Sequence, residues 1–495
     1  MNPWFQLLGP AMAVAALGAV VLGGDTLLPD RGRLWGWVSV ALLLALLGLS
    51  LGMNSAGAAP HRAYVAGPWS LFLQRIFVVG ALLAILGSMD WLEARAGGRQ
   101  AEYLALILFS TSGMMMIPGA RDWVLLVVSF ELMGIPLYAL AAWAKNDGPP
   151  DRPRLGAEAG LKLFVTGTAS SALTFFGLAL VVGLSGTTQI DVVADPAGAP
   201  LAAAGMLLII AGFGFKIGAV PFHFWVPDTY QGAPTPFVAF LSVAPKLGGL
   251  AALAVVLLHG WGRQGSLWAP AIVLLSAASM LVGNVFALTQ SDVRRLLGFS
   301  GIAQMGYVLI GLAARTRAGL AMALFFMATY LFTNLGAFLV LHAGAEASGG
   351  HGLTKLAGLS RRAPALGAAL LIFLLSLAGI PFVAGFWAKL FVLLAGYRAG
   401  LGWLVVLGVA LAVLGLFYYL SVARSTFMAE GEGTAPVPTR LPLRLAIGVC
   451  LAAVVGLGLW PRPLLEAADV AAADLLAEPA AVSALRPPAP VAVSP

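Results

Sequence analysis

Long apolar segments separated by short polar ones run from one end of the chain to the other. Each is close to the ~20 residues that an α-helix needs to cross roughly 30 Å of hydrocarbon. The predicted spans are 5–22, 34–52, 69–88, 101–118, 122–143, 160–184, 201–226, 235–259, 268–290, 294–312, 317–343, 366–396, 402–428 and 441–460. The pattern predicts an all-α integral membrane protein with about 14 transmembrane helices and no separate soluble domain.

The composition excludes an ordinary soluble enzyme, since 60% of the 495 residues are hydrophobic and only 10% are charged. The first apolar segment has neither a basic start nor a small-residue cleavage site, so we interpret it as a retained span and not as a signal peptide. The net charge of +7 comes from basic residues scattered over short loops. Because they form no patch or run, we expect no nucleic-acid partner.

The basic residues are distributed unevenly between the two sides of the membrane. If the spans alternate in direction, the loops on one side hold most of the lysines and arginines, which is the bias that marks the cytoplasmic side. These residues are Arg31, Arg33, Arg95, Arg99, Lys145, Arg152, Arg154, Arg294, Arg295, Lys355, Arg361, Arg362, Arg424, Arg440 and Arg444. We therefore predict that both termini face the periplasm. The Ala- and Pro-rich tail after Trp460 is expected to fray.

Proline interrupts two of the apolar segments, at Pro221 and at Pro381. Proline removes a backbone donor and clashes with the preceding turn, so each helix is expected to break at membrane depth. Such breaks are tolerated where protein or a water-filled cavity satisfies the freed backbone groups. Broken helices in two halves of a chain are typical of transporters built from repeats, although simple kinks in a packed bundle are the alternative.

Four charged residues lie inside apolar segments: Glu131, Lys216, Lys246 and Lys389. A charge at the centre of the bilayer costs at least a few kcal/mol, so each position indicates a function. A structural ion pair, or a side chain that reaches the membrane surface, is the alternative for each. Lys162 lies close to the end of its span, and it either takes part in the same function or extends to the interface.

A buried lysine beside a carboxylate is suited to proton exchange. Desolvation lowers the pKa of a lysine, and a nearby carboxylate raises it again, which brings proton exchange toward neutral pH. We therefore predict that Glu131 stabilises a protonated Lys216, from which the proton passes to Lys246 and then to Lys389. His223, directly after the first break, either relays protons through water or caps the broken helix by a hydrogen bond.

The sequence predicts no cofactor, metal or redox group on this chain. Its histidines show no metal-ligand spacing, and no glycine-rich phosphate loop or nucleophile with a base is present. The single cysteine, Cys450, cannot complete an iron–sulfur or zinc site alone.

Three segments resemble the antiporter-like membrane subunits of respiratory complex I, the NADH:quinone oxidoreductase. They are residues 215–236 (FKIGAVPFHFWVPDTYQGAPTP), 292–307 (DVRRLLGFSGIAQMGY) and 379–389 (GIPFVAGFWAK). The resemblance implies fourteen helices with two inverted five-helix repeats, each containing a proline-broken helix. It also implies that the family's glutamate–lysine pair is Glu131 and Lys216, its modulating lysine Lys162, its central lysine Lys246 and its terminal lysine Lys389.

The same resemblance implies four regions: helices 1–3 in 1–100, a first repeat in 101–260, a second repeat in 261–430, and a last helix with its tail in 431–495. Within the family, the run 227–236 and Lys389 favour the N type, since the M type has a glutamate at the latter position. The absence of a predicted long amphipathic helix after the last span disfavours the L type. Two departures are Gln304, where relatives often have histidine, and Pro245, where they often have serine.

The resemblance implies a proton-translocating subunit in a bacterial inner (plasma) membrane, coupled to NADH oxidation and quinone reduction. Its partners would be the M-type and small K, J and A-type membrane subunits, together with lipids. NADH, FMN, iron–sulfur clusters and quinone would bind to partner subunits. The main alternative is a subunit of a multi-subunit Na⁺/H⁺ antiporter or a membrane-bound hydrogenase. A solute transporter or a structural scaffold explains the spread of buried charges less well.

Overall fold

The computed structural model describes residues 3–29, 31–53, 57–58, 63–95, 98–145, 155–193, 199–429 and 437–483. The helices of the first half are α1 Pro3–Leu27, α2 Gly32–Leu51, α3 Pro68–Arg95, α4 Gln100–Met116, α5 Trp123–Ala141, α6 Leu155–Ser185, α7 Pro200–Ile217, α8 Trp225–Gly232, α9 Thr235–Leu241 and α10 Ala244–Ala254. Those of the second half are α11 Gly265–Ala287, α12 Val293–Ala313, α13 Arg317–Ser348, α14 Leu359–Arg362, α15 Pro364–Ala378, α16 Ala384–Arg398, α17 Gly402–Met428, α18 Leu441–Leu459 and α19 Arg462–Ser483. A short antiparallel pair, β1 Gly57–Ala58 and β2 Val65–Ala66, precedes α3.

Within the described residues, 13 helical segments are long and apolar enough to cross a membrane. This confirms the prediction of an all-α integral membrane protein. The span predicted at 366–396 is divided into α15 and α16, each of 15 residues. The most deeply buried spans are α3, α12, α13 and the segment Thr235–Gly260, so the interior of the bundle lies along them. The inverted relation of two five-helix repeats stays a prediction.

The two predicted helix breaks are present and have the same local geometry. α7 ends before Gly218 and α15 ends before Gly379, and both glycines have a left-handed backbone, with φ of 72° and 86°. In each break the glycine and the next residue donate backbone N–H groups to carbonyls of the last helical turn. Glycine adopts this conformation without steric strain, which explains why the helices end here, ahead of the prolines.

A third break divides the span that was predicted to be continuous at 235–259. α9 ends at Leu241 and α10 begins at Ala244, with Ser242 and Val243 between them. Pro245 lies in the first turn of α10, where its missing N–H group has no helical partner to lose. The span predicted at 235–259 is present as Thr235–Gly260, and the break near Pro245 within it was not predicted.

The expectation that the tail frays after Trp460 was also wrong for the described part of the tail, since α19 is a helix of 22 residues. Asp474 accepts a hydrogen bond from the backbone N–H of Trp69 at the start of α3, and Asp469 forms an ion pair with Arg317 at the start of α13. Its buried face consists of Ala468, Ala471, Ala472 and Leu475. The alanines that made the tail look like a biased segment are spaced to pack one helix face. Residues 484–495 lie outside the described residues.

Candidate functional site

Three lysines are almost completely buried within the helix bundle. The exposed fraction is 0% for Lys246, 5% for Lys216 and 7% for Lys389. Each lies beside a helix break: Lys216 in the last turn of α7, Lys246 in the first turn of α10, and Lys389 in α16 after the second break. The breaks therefore bring helix ends, with their free backbone groups and partial charges, next to the buried amines.

Lys216 faces one side of α5, where Glu131, Gly134 and Tyr138 lie on the same helical face. Its Nζ donates a hydrogen bond to the Tyr138 hydroxyl at 3.2 Å and lies 5.0 Å from the centre of the Phe130 ring. A Cβ atom on Gly134 would lie only 2.6 Å from this Nζ. The amine thus occupies space that the glycine leaves open.

Glu131 lies near Lys216 without a salt bridge between the two described side chains. The Ser171 hydroxyl of α6 donates a hydrogen bond to Glu131 Oε1 at 2.6 Å. Ser171 also contacts Tyr138, the hydroxyl that accepts from Lys216. The predicted pair is therefore linked through two hydroxyl groups, Ser171 and Tyr138, and this arrangement was not predicted from the sequence.

Lys246 has no hydrogen-bond partner among the described residues, and its Nζ lies 5.6 Å from the centre of the Tyr230 ring. The hydroxyls of Tyr230 and Tyr330 are buried and likewise have no protein partner. Buried polar atoms are normally bonded to protein or to ordered water. Water molecules are the expected partners of this group of three polar atoms.

Lys389 reaches back across the second break. Its Nζ donates to the backbone carbonyls of Leu377 at 2.7 Å and Ala378 at 3.1 Å, which are the last residues of α15. It also lies 5.1 Å from the centre of the Tyr307 ring. The side chain is therefore held by the C-terminal end of a helix, where the helix dipole favours a positive charge.

A small cavity of about 10 Å³ is bordered by Lys389 and by Tyr330, whose hydroxyl lies in the surroundings of Lys246. This is roughly the space that one water molecule needs. Its lining includes Tyr330, Thr333, Ser376, Gln304 and Lys389. Gln304 donates to the carbonyl of Leu377 at 3.0 Å. Because an amide does not titrate, Gln304 orients its neighbours and does not itself carry a proton.

Lys162 lies at the edge of the bundle, with its side chain 41% exposed. Its Nζ forms ion pairs of 2.6 Å with Glu158, one turn earlier on α6, and with Asp228 of α8. Asp228 also binds Arg295 at the start of α12. The position agrees with a side chain that extends to the interface, and its ion pairs connect α6, α8 and α12. The modulating role of Lys162 stays a prediction.

His223 lies in the connection between α7 and α8, stacked on Phe224 with ring centres 4.7 Å apart. It contacts the backbone of Pro221, and its Nδ1 has no hydrogen-bond partner in the described part of the chain. No hydrogen bond of the described residues joins it to Lys216, Lys246 or Lys389. A relay through His223 therefore stays a prediction, and the Pro221 contact favours the capping alternative.

His351 lies in the loop before α14, outside the spans. Its ring is hydrogen-bonded to the hydroxyl of Thr235 at 2.9 Å. Burial, together with the charge of Arg294, lowers the pKa of His351 to about 2. It is therefore a neutral hydrogen-bonding group that joins this loop to α9.

Comparison with known proteins places the chain in a family. A family model described as NADH:quinone oxidoreductase/Mrp antiporter, TM, matches residues 120–415. The subunit N of the Heliobacterium modesticaldum NADH-quinone oxidoreductase is 38% identical over 479 residues, 95% of this chain and 99% of the relative. The Rhodospirillum rubrum subunit N is 36% identical over 484 residues, 95% of this chain and 98% of the relative. The chain belongs to the NADH-quinone oxidoreductase subunit N family. Membership confirms the resemblance to the N type.

Solved structures agree with membership of the subunit N family. A chain of respiratory complex I from Thermus thermophilus with bound aureothin is 30% identical, with a TM-score of 0.78, and the match covers 93% of this chain and 99% of that one. A chain of the Mrp complex from Dietzia sp. DQ12-45-1b has a TM-score of 0.84 at 21% identity, covering 97% and 99%. The second likeness shows a common fold alone, so the antiporter alternative gains no support beyond the fold.

Membership of the subunit N family also answers the question raised by α19. The L type was disfavoured partly because no long amphipathic helix was predicted after the last span, and the helix that does follow it, α19, has 22 residues. The assignment to the N type rests instead on the relatives named as subunit N. The chain is thus a multi-pass integral membrane protein of the subunit N family, and its three buried lysines and Glu131 lie on helices that the matched region covers.

Proposed function

We propose that this chain is the proton-translocating subunit N of a membrane NADH:quinone oxidoreductase, and that protons pass along Glu131, Lys216, Lys246 and Lys389. Membership of the subunit N family supports the first part. The observation that carries the second is the burial of three lysines in an apolar bundle, each at a helix break. Burying one charge is costly, and three such positions in one chain are hard to explain as packing.

The helix ends give the three lysines different electrostatic surroundings. Lys216 lies at the C-terminal end of α7, and Lys389 binds the last carbonyls of α15, so in both places the helix dipole stabilises an ammonium group. Lys246 lies in the first turn of α10, where the dipole opposes a positive charge. The helix ends therefore favour an ammonium group at Lys216 and Lys389 and oppose one at Lys246.

Hydroxyl groups and water are suited to bridge the gaps between the charged groups. Ser171 and Tyr138 link Glu131 to Lys216. Beyond Lys246, Tyr330 lines the small cavity that also borders Lys389. A hydroxyl both donates and accepts a hydrogen bond, so such a chain passes protons without carrying a fixed charge.

We assign the redox chemistry to partner subunits, which would hold NADH, FMN, the iron–sulfur clusters and the quinone. Quinone reduction there would change the charge or conformation next to Glu131 and so drive the proton onward. The partners proposed are the M-type and small K, J and A-type membrane subunits, with lipids around the outer helices. The distribution of lysines and arginines supports periplasmic termini.

The Glu131→Gln variant tests this function. We expect NADH-driven proton pumping in inverted membrane vesicles to fall about tenfold, equal to ~1.4 kcal/mol in the barrier, because the variant removes the negative charge that interacts with Lys216. NADH:quinone reductase activity should fall with it, while native gels show an assembled complex. Glu102→Gln, at an exposed acid in the first turn of α4, is the control and should behave as the unchanged protein.

Two outcomes would contradict the proposal. Wild-type pumping by Glu131→Gln would mean that this carboxylate is structural. If a strain lacking the chain kept NADH-driven pumping and instead became sensitive to external Na⁺, the chain would belong to an antiporter complex.

The ion pairs of Asp228 lead to a smaller expected effect. Asp228→Asn removes the carboxylate that pairs with both Lys162 and Arg295, so α8 loses its ion pairs with α6 and α12. We expect a fall of about threefold in pumping, equal to ~0.7 kcal/mol and within the range of partly exposed ion pairs. The measurement is initial pumping rate per assembled complex. Glu158→Gln, which removes only the second carboxylate on Lys162, should leave the rate unchanged, and an equal loss in both variants would contradict the assignment to Asp228.

A further inference from the structure

Helices α5 and α12 begin in the same way, so their first residues can be compared position by position. Each is capped by an aspartate, Asp122 or Asp292, whose carboxylate accepts hydrogen bonds from the second and third residues that follow. Each aspartate also forms an isolated antiparallel bridge, with Gln189 or with Gly352. The register of the two helices can therefore be matched from their first residues.

A close helix crossing confirms this register. α4 packs on α5 through Gly113, and α11 packs on α12 through Gly283. The atoms that a Cβ would meet are Ser129 O at 2.7 Å and Met133 N at 2.4 Å for Gly113, and Phe299 O at 2.7 Å and Ala303 N at 2.4 Å for Gly283. The segment 129–133 of α5 thus corresponds to the segment 299–303 of α12.

Glu131 lies at the centre of the first segment, and Gly301 lies at the centre of the second. The second half therefore has no side chain at the position where the first half has the partly buried carboxylate of Glu131. A Cβ on Gly301 would lie 3.1 Å from Lys246 Nζ and 3.0 Å from the Tyr330 hydroxyl. The space beside Gly301 is the space in which this lysine and this tyrosine approach each other.

We propose that Gly301 is a positioning residue for proton transfer through Lys246. Because Gly301 has no side chain, the amine of Lys246 has room beside Tyr330. Lys246 also has no carboxylate at this position, whereas Lys216 has Glu131 at the corresponding one. The inference rests on the proposed function, because it assumes that Lys246 binds and releases a proton in each cycle.

The surroundings of Lys246 support this reading. The titratable groups that face it are Tyr230 on α8 and Tyr330 on α13, and both are neutral hydroxyls. On the side of α7, the amine lies 3.8 Å from a Cβ built on Gly218, two residues after Lys216. No described carboxylate forms a salt bridge with Lys246. A carboxylate at position 301 would hold the ammonium in place and stop it from passing its proton on.

The test compares side chains of equal size and different charge at position 301. Gly301→Asn adds bulk, and Gly301→Asp adds nearly the same bulk with a carboxylate. We expect about a fivefold fall in NADH-driven pumping for Asn, from crowding. For Asp we expect about a twentyfold fall, with the optimum moved to higher pH, since a carboxylate stabilises the protonated amine. A purely structural role predicts equal losses and an unchanged pH profile, and that result would overturn the proposal.

A second pair of variants keeps the proposal testable if Gly301→Asp does not assemble. Gly301→Ala should lower pumping about threefold through its contact with Lys246. Gly298→Ala, one turn earlier on α12, is the matched control, because its Cβ would meet its neighbours at 3.4 Å or more. Equal activity of the two alanine variants would overturn the proposal. Lys246→Met, measured in parallel, distinguishes failure of the proposed function from failure of the inference about Gly301. Wild-type pumping by Lys246→Met would contradict the proposed function itself. Loss of pumping in Lys246→Met, together with equal pumping by Gly301→Asp and Gly301→Asn, would contradict only the inference about Gly301.

Discussion

Replacement of Lys246 by methionine is expected to lower NADH-driven proton pumping by at least about fiftyfold, equal to ~2.3 kcal/mol in the barrier. Methionine is an unbranched apolar side chain of similar length, so it fills the fully buried site without an ionisable amine. No other lysine or carboxylate among the described residues hydrogen-bonds to this position. The proton path would therefore lose its central step and have no local substitute.

The measurement is the ratio of pumped protons to NADH oxidised in inverted vesicles, with assembly checked on native gels. Lys145→Met, at an exposed lysine after α5, is the control for loss of one positive charge. Lys246→Arg should also be inactive, because a guanidinium stays protonated and is too bulky for the space beside Gly301. Wild-type pumping by Lys246→Met would exclude an obligatory proton on this residue.

The apolar pattern was sufficient to predict the membrane spans and the two proline-associated breaks. Both predictions depend on local properties: a helix needs a fixed length to cross the bilayer, and proline removes a backbone donor wherever it occurs. The break before Pro245 was missed because proline is also common in the first turn of an uninterrupted helix. The helix α19 was missed because alanine-rich composition alone does not show that Asp469 and Asp474 have partners on α13 and α3.

The candidate site could be predicted only in part. A lysine within an apolar run is visible in the sequence, and Lys216, Lys246 and Lys389 are indeed buried. The residues that surround each lysine depend on which helix faces pack together, and the sequence around one lysine does not show which helices contact it. Neither Tyr138 nor Tyr330 was singled out from the sequence, although both hydroxyls lie beside buried lysines.

Glycine was the least visible component of the site. Gly134 and Gly301 leave space for the amines of Lys216 and Lys246, and this role is visible only in the three-dimensional structure. One useful signal was present in the sequence, however, since Glu131, Gly134 and Tyr138 are spaced to share one face of α5. In a chain with a buried charge, small and hydroxyl-bearing residues at that spacing are the first places to seek its partners.

Lys216→Met is expected to lower pumping about thirtyfold, equal to ~2 kcal/mol. The variant removes the amine that donates to Tyr138 and leaves Glu131 with its contact to Ser171. If Glu131 acts only by stabilising the protonated form of Lys216, it has nothing left to stabilise in this variant. The double variant Glu131→Gln with Lys216→Met should then pump as the Lys216→Met variant does.

This non-additivity is the feature that distinguishes a coupled pair from two separate structural charges. Residues that act through one interaction show large coupling in a double-mutant cycle, whereas independent sites give losses that add within ~0.5 kcal/mol. Pairing Glu131→Gln with Lys145→Met gives the independent control. Additive losses for Glu131 and Lys216 would mean that the hydroxyls of Ser171 and Tyr138 do not couple them. Full activity of Lys216→Met would remove Lys216 from the path and leave Lys246 to receive its proton from another direction.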